Sequence, residues 1–321
     1  MLTDKERLVA GELQANPRGS IAQIAENLGM APHLVRTVYN RLVRSGALNV
    51  FAIVEPQVFG RPMVIGFRLR IADGSGKALD TLVRQPDFHW MASINDGSTV
   101  LATANFADAR ELRVFTEGVI REIPGVREVS LEMFLEFEPI PYFAKPARRP
   151  PLRSLVVPAE TPRPPKMDEM DLALLQQYQT DARMSYADAA DKVGLSLSAV
   201  RQRTKKLEDA GILRFHVLPN PFVLGLHAVF MVSIKTNGPS APIKEALRQT
   251  TGATFLSEVT GDYAMTLEVF VEEPGELESR IQEIMAIPGV VDVRTDIYRE
   301  IIRDTGTWSV SVASTLPRDK R

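Results

Sequence analysis

The strongest constraint on this chain is that its sequence repeats itself. Compared with itself at an offset of 165 positions, the separation of Gly29 and Gly194, the chain keeps its glycines and apolar residues in order. The further coincidences are Val35 with Val200, Arg36 with Arg201, Leu42 with Leu207, Gly46 with Gly211, Leu48 with Leu213 and Gly60 with Gly225. The stretch IPGV occurs at residues 123–126 and again at 287–290. Because turn glycines and buried positions persist while surface positions differ, we expect two tandem copies of one structural unit.

Composition removes several classes of function. The chain has no cysteine, which excludes disulfides, thiolate-bound metals and a thiol nucleophile. Its four histidines lie far apart, so we expect no metal and no cofactor. The longest apolar stretch, near residues 229–232, is too short to span a bilayer, and the chain opens on charged residues. We therefore expect a cytoplasmic protein with no membrane partner, whose net charge of −2 confines any nucleic-acid contact to local basic surfaces.

The repeat also divides the chain into segments. Residues 138–166 contain nine of the 22 prolines and six Lys or Arg residues, so we expect neither a helix nor a central strand there. This stretch could run along DNA as a basic segment, but we favour a solvated spacer. The expected segments are helix-turn-helix domains at 1–48 and 167–213, α/β sensor and assembly domains at 49–137 and 214–303, the linker at 138–166 and a polar tail at 304–321.

Each copy begins with the pattern of three short helices. In the second copy Ser185 is a good N-cap, the turn 194–196 follows, and a third helix starting near Ser196 or Ser198 ends at Gly211. In the first copy Ser20 caps the second helix, and Pro32 suits the start of the third. A short helix, a glycine turn and a helix with one buried face predict a helix-turn-helix.

The exposed face of each third helix is basic. The predicted DNA-contacting residues are His33, Arg36, Arg41 and Arg44 in the first copy, and Ser198, Arg201, Arg203, Lys205 and Lys206 in the second. A basic helix that protrudes from a small bundle fits the major groove of double-stranded DNA. Lys and Arg runs are often only solvated surface, and three-helix bundles also dock proteins. The ordered pattern, found twice, favours DNA.

Downstream of each bundle the period changes to alternating strands and helices. The second copy predicts strands at 228–235, 254–259, 264–271 and 290–302 with helices at 242–249 and 274–287; the first predicts strands at 63–71, 88–94, 99–106 and 126–137 with helices at 77–84 and 107–123. This βαββαβ order predicts a ferredoxin-like antiparallel sheet covered by helices on one side, and hence an α+β fold.

One face of such a sheet stays uncovered by helices. We place Val229, Met231, Met265 and Leu267 on that face. An exposed apolar face favours association, either between the two sheets of one chain as a pseudo-dimer or between chains.

A helix-turn-helix joined to a βαββαβ domain resembles the Lrp/AsnC family, the feast/famine regulators of amino-acid metabolism. The most specific stretches lie in the second copy: residues 168–171, the turn 194–196, Arg203 in the third helix, and Thr260-Gly261-Asp262-Tyr263. The resemblance implies a DNA-binding transcription regulator that forms homo-oligomers, a dimer or tetramer of pseudo-dimers, and responds to an amino acid or related metabolite.

The resemblance also implies a ligand site. Thr260, Gly261, Asp262 and Tyr263 would line an effector pocket, in which Asp262 could pair with an ammonium group and Tyr263 could form a wall. A tight hairpin turn at Gly261-Asp262 is an equally good interpretation.

The first copy departs from the family pattern. Residues 95–98 (NDGS) replace the loop, and Val38 stands where the second copy has Arg203. It therefore stays open whether the first sensor binds a ligand and whether the two basic helices prefer different half-sites.

Two other classes of protein remain as alternatives. One is an enzyme similar to the fused, Lrp-like siroheme decarboxylases; the other is a metabolite-binding protein without DNA binding. His89 beside Trp90 is better explained as a half-buried sheet residue than as a catalytic base, and no nucleophile triad or phosphate-binding glycine loop stands out. We therefore expect no catalysis, and the two basic helices argue against the second alternative.

Overall fold

The computed structural model describes residues 2–72, 76–143, 166–226, 228–273 and 275–304. The first copy contains α1 (Asp4–Ala15), α2 (Ile21–Leu28), α3 (Pro32–Arg44), β1 (Leu48–Val54), a 3₁₀ turn (Pro56–Phe59), β2 (Met63–Ile71), α4 (Gly76–Val83), β3 (Trp90–Ile94), β4 (Thr99–Phe106), α5 (Ala109–Phe115), a π-helical turn (Thr116–Ile120) and β5 (Val126–Phe134). After β6 (Glu138–Pro139), the second contains α6 (Glu169–Thr180), α7 (Tyr186–Val193), α8 (Leu197–Asp209), β7 (Leu213–Pro219), β8 (Ala228–Thr236), α9 (Ser240–Arg248), β9 (Ala253–Glu258), β10 (Met265–Val271), α10 (Glu276–Met285) and β11 (Val290–Asp304). The shared order of elements is the one that the sequence repeat predicts.

The described residues pack into two compact units, and each unit draws on both copies. Unit 1 comprises residues 2–50, 136–143 and 216–298, and unit 2 comprises residues 51–135, 166–215 and 299–304. Unit 1 thus combines the first helical bundle with the second α/β domain. Unit 2 combines the second bundle with the first α/β domain.

Local sequence explains both helical bundles, α1–α3 (the first bundle) and α6–α8 (the second bundle). The hydroxyl of Ser20 accepts a hydrogen bond from Gln23 N at 3.1 Å, and Ser185 does the same for Asp188 N at 3.1 Å. The cap of α8 is Ser196, which accepts from Ala199 N at 3.2 Å. These caps satisfy amides that the first helical turn leaves without partners.

Both α/β domains have the predicted ferredoxin-like topology. In unit 2 the strand order is β5-β2-β4-β3, and in unit 1 it is β11-β8-β10-β9 with β6 added at the edge. The strand pairs with a described register are antiparallel; Gly66 lies opposite Thr103 in one sheet, and Ser233 lies opposite Thr266 in the other. The two sheets repeat the same plan, as the sequence predicts.

The prediction that Met265 and Leu267 lie on the sheet face without helices is wrong. Both are fully buried in the cluster that includes Ile243 and Leu247 of α9 and Ile284 of α10. Alternation along β10 is the reason, because Met265 and Leu267 share their face with Val269 and Val271. Along β8, Val229 and Met231 alternate with the cluster residues Phe230 and Val232 and so lie on the opposite face.

Residues 136–143, which we call the strap, connect the parts of unit 1. Its β6 strand pairs with the edge of β9, and Ile140 joins the buried cluster of the α/β domain. The ring of Tyr142 lies 5.4 Å from that of Phe270, and Phe143 N donates to Gln14 Oε1 of α1 at 3.0 Å. The strap therefore contacts both the second α/β domain and the first bundle.

Several sequence expectations concern residues that the structure does not describe. They are the linker from 144 to 165, the tail from 305 onward and the start of the predicted helix at Pro274. Of the linker, residues 138–143 and Lys166 are described. Residues 138–143 add the edge strand β6, a position that proline tolerates, and bury Ile140 in the core, so the expectation of a solvated spacer is wrong for this part of the linker. In the described ranges, none of the helices has the length and apolar character needed to cross a membrane.

Candidate DNA-contacting surface and effector loop

The third helix of each bundle buries one face and presents the other to solvent. In α8 the buried face carries Val200, Thr204 and Leu207, and in α3 it carries Val35 and Leu42. Helical spacing defines an outward row on the opposite side of each helix. The outward row of α8 is Ser198, Gln202, Lys205 and Asp209, and that of α3 is His33, Thr37, Asn40 and Arg44; Asn40 is half-buried and the others are exposed.

Two of the predicted DNA-contacting residues form ion pairs within the second bundle. Arg203 Nη1 lies 2.8 Å from Asp168 Oδ1 and 2.7 Å from Asp171 Oδ1. Lys206 Nζ lies 3.3 Å from Asp171 Oδ2. Only 1% of the Asp171 side chain is exposed, so its charge requires a cation nearby. Arg203 and Lys206 therefore join α8 to α6.

Electrostatics support this arrangement. The hydrogen bond from Arg203 lowers the pKa of Asp168, with a further contribution from the backbone amide of Asp171. The same hydrogen bonds, first to Asp168 and then to Asp171, raise the pKa of Arg203. Arg203 is thus a cation whose charge is already matched within the protein.

The first bundle has the equivalent contact. Glu6, at the position matching Asp171, is 2% exposed and pairs with Arg41, at the position matching Lys206. Glu6 Oε2 also accepts from the backbone amide and hydroxyl of Thr3, both at 2.8 Å. Arg41 therefore pairs with a buried acid as Lys206 does, although 61% of its side chain is exposed.

The remaining candidates extend into solvent. His33, Arg36, Arg44, Ser198 and Arg201 are exposed, and in the described part of the chain Arg36, Arg44 and Arg201 have no carboxylate within ion-pair distance. The Arg201 guanidinium lies 5.9 Å from the ring centre of Tyr186 on α7. The Ser198 hydroxyl lies 3.0 Å from that of Ser196.

Lys205 is also exposed but lies 3.1 Å from Asp209, one turn further along α8. Thr37 and Gln202, which occupy the outward rows, were not among the sequence candidates, because the search followed the Lys and Arg residues of each helix. Helical spacing from Val35 and Val200 would have located both.

The predicted effector loop connects β9 to β10. Thr260, Gly261 and Asp262 are exposed, and Gly261 has a φ of +116°, a conformation that requires glycine. Tyr263 is half-buried, with the Arg294 guanidinium 4.6 Å and the Lys235 ammonium 5.2 Å from its ring centre. Cations over an aromatic face hold the ring in place.

Arg294, which sequence reasoning missed, links the loop to the sheet. Its Nη2 donates to Ser233 Oγ at 3.2 Å, and its Nε lies 3.5 Å from Asp296 Oδ2. Ser233 of β8 in turn lies opposite Thr266 of the neighbouring strand β10. Nothing in the local sequence of the loop indicates Arg294, because it is more than 30 residues away.

In the corresponding loop of the first copy, residues 95–98, the Asp96 side chain is hydrogen-bonded within the loop itself. Asp96 accepts from Ser98 N at 2.9 Å and from Ser98 Oγ at 2.7 Å, and these hydrogen bonds lower the pKa of Asp96. Arg299 Nη1 donates to Asp96 O at 3.0 Å. Asp96 is thus committed to its turn.

His89 precedes β3 in the first copy. His89 as a whole is partly exposed, but its Nε2 atom is shielded from solvent. Burial lowers the pKa of His89 to about 4, against a smaller opposing effect of a hydrogen bond with Asn105. His89 is therefore neutral at physiological pH.

Comparison with known proteins gives matches to both parts of the second copy. Residues 167–214 match the winged helix-turn-helix DNA-binding family, and residues 228–308 match the Lrp/AsnC ligand-binding domain. An uncharacterised HTH-type transcriptional regulator of Pyrococcus horikoshii is 32% identical over 139 residues, 42% of this chain and 88% of that relative. The HTH-type transcriptional regulator LysM of Sulfurisphaera tokodaii is 27% identical over 135 residues, 42% of this chain and 96% of the relative.

A solved structure is similar over the whole chain. The siroheme decarboxylase NirDL aligns with 97% of this chain and 96% of its own at a TM-score of 0.59 and 10% sequence identity. At that identity the likeness shows a shared fold alone.

The fold and the family matches together define a helix-turn-helix DNA-binding protein with a ligand-binding α/β domain. The chain belongs to the Lrp/AsnC family of transcription regulators.

Proposed function

We propose that this chain regulates transcription in the cytoplasm as a homo-oligomer, reading duplex DNA through α3 and α8 and responding to an amino acid or related metabolite. The observation that carries the proposal is the pair Arg36 and Arg201. They occupy equivalent positions on the two third helices, both are exposed, and within the described ranges neither is matched by a carboxylate. An unmatched guanidinium on a protruding helix suits a DNA phosphate or a guanine edge.

The nine candidate residues divide into two groups. We assign DNA contact to His33, Arg36, Arg44, Ser198, Arg201 and Lys205, which are exposed and pair with no buried acid among the described residues. Arg41, Arg203 and Lys206 act by fixing the angle of each third helix against its first, because they pair with Glu6 and Asp171. Basic residues of the second group contribute to affinity only through the geometry of the bundle.

A binding experiment tests the first group through its two equivalent arginines. Duplex DNA from the chain's own upstream region is titrated with the wild type and with the Arg36→Ala/Arg201→Ala double variant at several salt concentrations. We expect weaker binding and a salt slope reduced by about 1 for each phosphate that the variant no longer neutralises. The matched control is Arg110→Ala/Arg113→Ala on α5, which removes the same charge from exposed positions outside both bundles. Equal affinity of the two double variants would contradict the assignment.

The effector would bind at residues 260–263. Asp262 is exposed at the loop and supplies a carboxylate for an ammonium group, and the fixed ring of Tyr263 supplies an apolar wall. The amide variant Asp262→Asn should abolish the thermal shift produced by the responding member of a panel of amino acids. Asp292→Asn, at an exposed position of β11, is the control and should keep that shift.

An enzyme of the siroheme decarboxylase class is the second candidate, because the fold of NirDL covers nearly the whole chain. The curated relatives named above are transcriptional regulators, which favours regulation. Incubation with siroheme followed by mass spectrometry decides between them. Loss of carbon dioxide from the tetrapyrrole would support the enzyme, and an unchanged mass supports the regulator.

A further inference from the structure

The centre of the outward row of α8 is occupied by an uncharged side chain, Gln202. It is exposed in the second turn of the helix, one turn beyond Ser198 and one turn before Lys205. In helix-turn-helix proteins the N-terminal half of the third helix is the part that reaches base edges. Gln202 therefore lies where a base-reading residue is needed.

Two of the three cations near Gln202 are paired within the protein, and the third, Arg201, is left for the DNA backbone. Arg203 pairs with Asp168 and Asp171, and Lys205 pairs with Asp209. Within the part of the chain that the structure describes, the amide of Gln202 has no hydrogen-bond partner. It is thus a long polar side chain in the middle of this face with its donor and acceptor uncommitted.

The chemistry of the amide selects one base. A glutamine amide offers a donor and an acceptor side by side, which matches N7 and the N6 amino group of adenine in the major groove. Guanine presents two acceptors there and pairs instead with arginine. We propose that Gln202 specifies an A·T pair by bidentate hydrogen bonding to adenine; this rests on the proposed function as a DNA-binding regulator.

The first helix has a different residue at this place. Thr37 is short, and its hydroxyl donates to the carbonyl of His33 at 3.0 Å. It lacks the second polar atom that a bidentate contact requires. The two third helices therefore read different half-sites, and the adenine contact belongs to the second.

The test uses the full chain and a pool of duplexes with a randomised segment. Selection with the wild type defines the preferred sequence, and each conserved adenine in turn is replaced by 7-deazaadenine, which lacks the N7 acceptor. At one adenine we expect a loss of about tenfold in affinity for the wild type, the size typical of a bidentate base contact. For Gln202→Ala the same replacement should change nothing. The variant should fold, because alanine favours an exposed helical position.

Two further variants sharpen the result. Gln202→Arg should move the preference at that base pair from adenine to guanine. Gln282→Ala, which removes an exposed amide on α10, should retain the adenine preference of the wild type. A Gln202→Ala variant that still selects and requires the same adenine N7 would overturn the inference while leaving DNA binding in place. A wild type that enriches no duplex would instead contradict the proposed function itself.

Discussion

In the first bundle Glu6 pairs with Arg41, whereas in the second bundle Asp171 pairs with both Arg203 and Lys206. Val38 stands in the first helix where the second has Arg203, so the two bundles keep the buried acid and differ in the number of cations around it. A basic residue on a third helix is therefore not by itself a DNA contact. We therefore expect Arg41, Arg203 and Lys206 to stabilise the bundles, and exposed residues such as Arg36 and Arg201 to remain available for DNA.

The largest effect should come from separating the two copies. Residues 1–143 and 166–304, expressed apart, each lack part of both compact units, so we expect neither fragment to unfold cooperatively. A protease site inserted between residues 144 and 165 provides the converse test. After cleavage, the two fragments should co-elute in size-exclusion chromatography. Two folded fragments that separate would break the comparison, because each copy would then be self-sufficient.

Removal of a single cation should affect the bundles unequally. Arg41→Met leaves Glu6 buried with no other cation at ion-pair distance among the described residues, and should destabilise the first bundle by about 3 kcal/mol. Arg203→Met leaves Lys206 beside Asp171 and should cost about 1–2 kcal/mol. Hydrogen exchange of the α1 and α6 amides measures both effects. Arg110→Met is the control, and equal protection losses in the two bundles would show that the second cation contributes nothing.

Acid should weaken the first α/β domain through His89, for which the second copy has Thr254 at the matching position. Because burial lowers the pKa of His89 to about 4, the unfolded chain takes up a proton first as the pH falls below 6.5. The free energy of unfolding should therefore drop by roughly 3 kcal/mol between pH 6.5 and 4. Urea unfolding followed by Trp90 fluorescence in a Trp308→Phe background reports it. An unchanged pH slope in His89→Gln would refute this assignment.

The smallest effect concerns Asp168, the charged cap of α6 in the second bundle. Asp168→Asn keeps an acceptor at the start of α6 but removes the charge that pairs with Arg203, so we expect a loss of less than about 1 kcal/mol at neutral pH. Because the pKa of Asp168 is lowered, this contribution is complete above its usual range and disappears as the pH falls through the lowered value.

Hydrogen exchange of the first turn of α6 between pH 5 and pH 3 follows the loss of this contribution. Ser20, the neutral cap of α2, provides the reference, since its hydroxyl accepts from the backbone amide of Gln23 and Ser20→Thr should give a pH-independent response. A pH-dependent change of equal size in both caps would rule out a role for the Asp168 charge.

Sequence patterns were sufficient for the architecture. Caps such as Ser20 and Ser185 and the period of the strands located the elements to within a few residues, because these signals are local. Met265 and Leu267 were misplaced although the alternation with Thr266 contained the correct answer. An apolar residue on both faces of β10 weakens that signal, since Phe270 is also buried.

The site was less predictable, because its contacts join distant parts of the chain. Asp171 lies in the apolar stripe of α6, and an acid in such a stripe requires a cation, which was the available signal for Arg203. Arg294 gave no such signal. The sequence also could not predict which bundle packs with which α/β domain, because the two similar α/β domains offer the first bundle chemically similar surfaces.

The strap connects β9, the strand before the candidate effector loop of the second copy, to α1 of the first bundle. It pairs with β9, whose last residue, Glu258, lies just before the loop, and Phe143 is hydrogen-bonded to Gln14 of α1. Glu136 and Lys244 add an ion pair to the same edge. If the proposed effector binds beside β9, we expect the displacement to be passed through these contacts to the first bundle, so that a ligand held by one copy of the repeat would act on the helices of the other.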